Sequence, residues 1–177
     1  MMLTSRIYTC LVLAAFTLAG CQQAQVDSYS DPAYDMQQVD SYAWLPGGSA
    51  VYGVVPQNQA VMEQTLKSSI EQSLEARGWR QVSTEISDVL VRFVVGAESQ
   101  FAVEKTGVGH FAGQDSEVPV EVRELRAGKL AIDLINTSTG QVVWRGVTGA
   151  THEGVPSKDE LAKSVHRGVK AIFLELP

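Results

Sequence analysis

Gly128–Thr151, GKLAIDLINTSTGQVVWRGVTGAT, is the stretch whose reading decides the fold. Leu130, Ile132 and Leu134 alternate with Ala131 and Asp133, so one face of an extended strand is apolar. Asn136-Thr-Ser-Thr-Gly140 then supplies turn-forming residues, and Gln141–Thr151 resumes as a second β-rich run. The pair predicts a β-hairpin whose register is set by the face it buries. The rest of the chain is expected to extend that sheet or to cover it.

Working outward, Val120–Arg126 predicts a further strand, with Ala127-Gly128 turning into the hairpin. Asp88–Gly96 is nearly continuous in apolar residues and predicts a central strand. Trp79–Thr84 and Asp40–Leu45 are also expected as strands, with Tyr42 and Trp44 on the same side of the latter. Between them, a loop ending near Gln57 with Pro56 as breaker precedes a helix over Gln59–Arg77. That helix is expected to be capped by Asn58 and ended by Gly78, with Met62, Leu66, Ile70 and Leu74 as its apolar stripe. Glu98–Pro119 holds Gly107, Gly109 and Gly113 and is expected to form a long hairpin with a mobile tip. At the C-terminal end, Ser157-Lys-Asp-Glu160 is a capping-box pattern. Leu161, Val165, Val169, Ile172 and Leu176 follow on one helix face. The expected fold is α+β, a mainly antiparallel five- or six-stranded sheet with two helices packed on one face.

The chain has 177 residues, 45% hydrophobic and 19% charged, the composition of one globular domain with a sizeable core. A net charge of −6 argues against a nucleic-acid partner, since phosphate tracking needs a basic surface. Met1–Arg6 carries one basic side chain, and Ile7–Leu18 is an uncharged, mostly apolar run. That run has the length of a signal-peptide core and is too short to span a bilayer, which takes about 20 residues. It ends in Leu18-Ala19-Gly20-Cys21, which resembles the lipobox of bacterial lipoprotein precursors. The resemblance implies cleavage before Cys21 and attachment of a diacylglyceryl group to its thiol, hence a membrane partner through a lipid anchor on Cys21. In such precursors an Asp after the Cys often marks inner-membrane retention. Gln22 stands there instead, which implies the outer membrane, facing the periplasm. Residues 1–20 are thus expected as signal peptide, 21–33 as a lipidated polar tether and 34–177 as a single domain. Cys10 would leave with the signal, so the mature chain forms no disulfide.

The order of elements also resembles the bacterial lipoproteins grouped as domain of unknown function 4136. The residues that carry it are Tyr42-Ala-Trp44, Arg77-Gly78, Asp88-Val-Leu-Val-Arg-Phe, Gly128-Lys-Leu-Ala-Ile-Asp-Leu and Thr139-Gly140-Gln-Val-Val-Trp144-Arg-Gly146. Such families commonly show an Asp at the first position of the hairpin turn, where this chain has Asn136, which can hold the same turn through its side-chain carbonyl. The resemblance implies fold and location and carries no activity.

The chemistry-bearing residues give no catalytic, metal or cofactor motif. His110, His152 and His166 lack the i, i+4 spacing of a zinc helix, and no thiol remains to join them. Gly47-Gly48-Ser49 sits in no strand-turn-helix elbow, and Gly107-Val-Gly109 lacks the context of a dinucleotide fingerprint. Asp133 is expected on the solvent face of its strand, and Trp44, Trp79 and Trp144 are expected in the core rather than in a stacking platform. The leading expectation is a non-enzymatic binding or scaffold module of the envelope, with Phe101–Phe111 contacting an envelope protein. The alternatives are a carrier of an apolar ligand between helices and sheet, and a hydrolase. A large apolar cavity favours the carrier, convergent titratable groups the hydrolase.

Overall fold

The computed structural model describes residues 25–105 and 120–177. Seven strands and two α-helices are found among them: β1 (Val26–Ser30), β2 (Ser41–Trp44), β3 (Ala50–Tyr52), α1 (Pro56–Glu75), β4 (Arg80–Gln81), β5 (Val89–Lys105), β6 (Val120–Asn136), β7 (Val142–Glu153) and α2 (Lys158–Leu174).

The β6–β7 hairpin forms as the sequence predicts. The Asn136 carboxamide oxygen accepts the N–H groups of Ser138 (2.8 Å) and Thr139 (3.1 Å), and Gly140 takes φ +69°. A bulge at Leu134/Ile135 pairs Leu134 with Trp144 and Ile135 with Val142, so Val143 and Trp144 are both buried. β5 runs antiparallel to β6 along its whole length, from Val89↔Asn136 to Lys105↔Val120. The expected long hairpin is therefore present in its two legs, and its tip, residues 106–119, lies outside the described residues. No turn occurs at Ala127-Gly128, and β5 does not stop at Gly96. Both glycines keep extended backbone in strands paired on two sides, Gly128 between Ala97 and Ala150 and Gly96 between Tyr52 and Lys129, where ladder hydrogen bonds outweigh the weak strand preference of Gly.

The sheet is mixed and seven-stranded rather than mainly antiparallel with five or six strands. Its order is β1-β7-β6-β5-β2-β4, with β3 beside β5 beyond the end of β2. β2 and β3 run parallel to β5, and β4 runs parallel to β2. Parallel neighbours require a crossover, and α1 supplies it. β3 has only three residues and falls in the stretch read as loop. Likewise β1 falls in the polar segment read as tether. It is held by backbone pairing to β7, with only Val26 packed on the core, so its composition does not betray it.

α1 starts three residues earlier than expected. Pro56 is its first residue rather than a breaker, because a missing N–H and a fixed φ suit that position. Asn58 is consequently not the cap; it is buried and donates to the Pro156 carbonyl (3.1 Å), tying the start of α1 to the start of α2. The other end closes as read, with Gly78 at φ +85°, its N–H on Glu75 O and the Trp79 N–H on Leu74 O. α2 has the predicted capping box between Ser157 and Glu160. Its stripe of Leu161, Val165, Val169 and Ile172 is buried together with Phe173. Both helices lie on one sheet face, over Val91, Phe93, Ile132, Leu134 and Trp144.

Candidate functional site

The motif residues turn out to be architectural. The Asp88 carboxylate accepts the Ser41 hydroxyl (2.6 Å) and the backbone N–H groups of Ser41 and Asp40, pinning β2 to the start of β5. Those bonds, the Ser41 hydroxyl first, hold its carboxyl below the usual range. Arg77 donates to the carbonyls of Phe173 (2.8 Å), Leu176 (2.6 Å) and Pro177 (3.3 Å), closing the C-terminal end of α2. Ser49 accepts the Phe93 N–H, a turn contact rather than a nucleophile's setting. Trp144 and Trp79 are buried, and Trp44 is half-buried with its indole N–H on Glu71, so the core reading of the tryptophans holds.

Asp133 departs from expectation. It is 2% exposed, not solvent-facing, because Arg92 on β5 and Arg145 on β7 flank it in register. Arg92 Nε donates to one carboxylate oxygen at 2.7 Å, and Arg145 donates to both, at 2.5 and 2.9 Å. This ion cluster fastens the sheet face opposite the helices.

Cys21 and His110 lie outside the described residues, as do residues 106–111 of the Phe101–Phe111 region. The structure brings His152 and His166, apart in sequence, to one solvent-facing groove with Glu160 and Lys163. His152 Nε2 lies 3.1 Å from Ser164 Oγ, and His166 Nδ1 lies 3.3 Å from Ser69 Oγ. Ser164 and Ser69 both sit inside helices, where the backbone N–H groups are engaged four residues back. Among the described residues, the helix backbone beside these pairs offers no free amide to hold an oxyanion. Among the described residues, no group of three or more His, Cys, Asp or Glu could hold a metal ion.

A second, larger concavity among the described residues lies where β5, β6 and β7 run on past the helices. Its floor is built row by row across three strands. Val95, Leu130 and Thr148 are in register, then Ala97, Gly128 and Ala150, then Arg126 and His152, with Ser99 in register beside Arg126 but off the lining. The middle row carries almost no side chain and leaves a trough between an apolar row and a polar one. Met62 and Leu66 of α1 and Leu161 and Val165 of α2 wall it, with exposed Val155 (47%) and Leu174 (69%) on its lining. Gly53 closes one side, so near Ala97 that a Cβ would stand 1.8 Å from the Ala97 carbonyl oxygen. The volume is about 870 Å³, within the roughly 300–1,000 Å³ of small-molecule sites. The sequence does not show this groove, because its central residue, Gly128, carries the local signature of a turn.

With the fold and groove described, comparison with known proteins places the chain. The family Domain of unknown function (DUF4136) matches residues 26–177. The chain belongs to the DUF4136 family. No curated protein matches the sequence. Among solved structures, the DUF4136 chain is similar to a protein described as a neuraminyllactose-binding hemagglutinin homologue from Helicobacter pylori. The two are 12% identical over 79% of this chain and 87% of that one, with TM-score 0.52. It is also similar to a PDZ domain protein from Parabacteroides distasonis (14% identity, TM-score 0.50), covering 87% of this chain but only 35% of that one. A PelC dodecamer from Paraburkholderia phytofirmans matches at 16% identity over 85% of this chain and 98% of that one, with TM-score 0.45. The first two likenesses concern the fold alone. Among the described residues, no helix of this DUF4136 domain is long and apolar enough to cross a membrane.

Proposed function

We propose that this chain is a lipid-anchored domain of the bacterial cell envelope that binds an apolar chain in the groove over Ala97, Gly128 and Ala150 and performs no chemistry. Acyl groups on Cys21 hold it on the periplasmic face of the outer membrane. The observation that carries the binding reading is the trough itself, a row of the smallest side chains between apolar walls at the mouth of the core. An apolar ligand there removes surface from water at about 25 cal/mol per Å², without displacing core packing. The structure thus shifts the weight from the leading expectation of a protein-contacting scaffold to the carrier alternative.

Gly128→Leu tests the groove. A Cβ on Gly128 would meet only carbonyl oxygens, of Gly96 at 3.9 Å and Ala150 at 4.0 Å, so the side chain enters the trough without distorting the strand. N-phenyl-1-naphthylamine, a neutral apolar fluorophore, is expected to bind the unaltered domain one to one. Gly128→Leu is expected to weaken it at least tenfold with an unchanged melting temperature. Equal binding by the variant would refute the groove. The anchor has its own test. Cys21→Ser removes the only thiol that can take the lipid after maturation, and two or more acyl chains are needed for stable anchoring. The variant should lose all incorporation of radiolabelled palmitate; labelling at wild-type intensity would end the lipoprotein reading.

A further inference from the structure

The groove has one polar end, and its chemistry selects a ligand. Arg126 stands on β6 between Ser99 and His152, on the row next to the small-residue floor. One of its terminal nitrogens pairs with Glu124 at 2.8 Å. Its Nε is buried and has no hydrogen-bond partner among the described residues, an arrangement that is costly for a charged donor. The ionisable residues on the groove lining are Arg126, Lys129, His152, Arg167 and Lys170, and none among the described ones is acidic. This is notable in a chain with 20 acidic against 14 basic residues, where a random patch would favour carboxylates. His152 is steadied by the Ser164 hydroxyl at 3.1 Å, on the same row as Arg126.

We infer that the ligand is an anionic single-chain amphiphile, a fatty acid, with its carboxylate on the exposed part of the Arg126 guanidinium and its alkyl chain along Ala97, Gly128 and Ala150. This rests on the groove reading above and adds its head-group chemistry. The Arg126 side chain keeps 24% of its surface exposed on the lining, and a guanidinium is the side chain whose planar donors match a carboxylate. A cavity of about 870 Å³ is of the size of sites for one small ligand, which favours one alkyl chain over a diacyl phospholipid. The basic lining adds long-range attraction for the anion, which salt weakens.

The test uses the mature chain carrying Cys21→Ser, in which no acyl group of its own competes and no detergent is needed. Decanoate and decanol, equal in chain length, compete against N-phenyl-1-naphthylamine at low and high salt. Decanoate is expected to displace the fluorophore at least tenfold better than decanol. Arg126→Met keeps the apolar stem and should bring the two together by weakening decanoate alone, while Gly128→Leu should lose both. Equal displacement by the two in the unaltered domain, or an undiminished decanoate preference in Arg126→Met, overturns the head-group assignment and leaves the groove reading standing. Displacement by phosphatidylglycerol vesicles but not by decanoate also overturns it, in favour of a phospholipid. Failure of the fluorophore itself to bind removes the groove reading, and this inference with it.

Discussion

Trp144→Ala is expected to destabilise the domain by about 3–5 kcal/mol, the range for removing a fully buried large aromatic. That is a large part of the roughly 5–15 kcal/mol available to a domain. Trp144 is fully buried and stacks on Phe173 of α2 with ring centroids 6.0 Å apart. Its neighbour Gly146 makes the packing possible, since a Cβ there would stand 2.5 Å from Ile172 Cγ2 and 2.7 Å from the Trp144 ring. Trp144 and Gly146 of the Trp-Arg-Gly motif therefore join β7 to α2, while Arg145 between them points to the opposite face and binds Asp133. Trp144→Phe should cost much less, below about 1.5 kcal/mol. It keeps an aromatic ring and removes an indole N–H that is buried without a partner among the described residues. Urea unfolding followed by far-UV circular dichroism reads both, and a Trp144→Ala loss under about 1 kcal/mol would show that the indole is not part of the core.

The legible parts of the fold were those with a strong local signal. The capping box at Ser157, the C-terminal glycine at Gly78 and the Asn136–Gly140 turn each satisfy backbone groups within a few residues, so their chemistry is local and readable. What stayed hidden depends on partners distant in sequence. β1 is exposed along four of its five residues and is held by backbone bonds to β7, which lies more than a hundred residues away. The parallel pairing of β2 and β3 with β5 follows from how α1 crosses the sheet, which periodicity alone does not report. Pro56 was ambiguous in itself, since the same residue ends one element and begins another.

The candidate site was hidden for a related reason. Gly128 inside a strand signals either a turn or a place where something must approach closely, and only the neighbouring strands decide between them. Ala97 and Ala150 are ordinary residues in sequence and become a trough only when register sets them beside Gly128. The three histidines drew attention as possible ligands, yet His152 matters here for standing beside Arg126, a residue no motif marked. A signal was present in the apolar alternation of β6, which breaks off at Gly128 and gives way to Arg126 on the same face. Extending the strand through that break places a small residue and then a cation next to the core.

Asp133→Asn is the second large effect expected, and it carries a pH signature. Burial pushes the Asp133 carboxyl up. The hydrogen bonds and charges of Arg145 and Arg92 push it down by more, so its pKa lies below the ordinary value. The folded chain thus binds this proton less readily than the unfolded chain, whose carboxyl titrates near about 3.9. The stabilisation is complete above that value and is lost as pH falls through the lower, folded one. Breaking a buried ion pair costs about 3–5 kcal/mol when the surviving charge is sealed from water. Here Arg92 and Arg145 keep 32% and 45% of their side-chain surface exposed, so they rehydrate and the cost falls to about 2 kcal/mol at pH 7. Raised salt should reduce the loss only slightly, because the carboxylate itself is 97% buried by the same measure of 3% exposure. Urea midpoints of the two proteins are expected to differ at pH 7 and to converge at acid pH, as the carboxyl takes up its proton through the lowered, folded pKa. A gap of the same size at both pH values would mean that the Asn substitution perturbs packing rather than charge. The three-strand cluster would then hold the sheet face by shape alone.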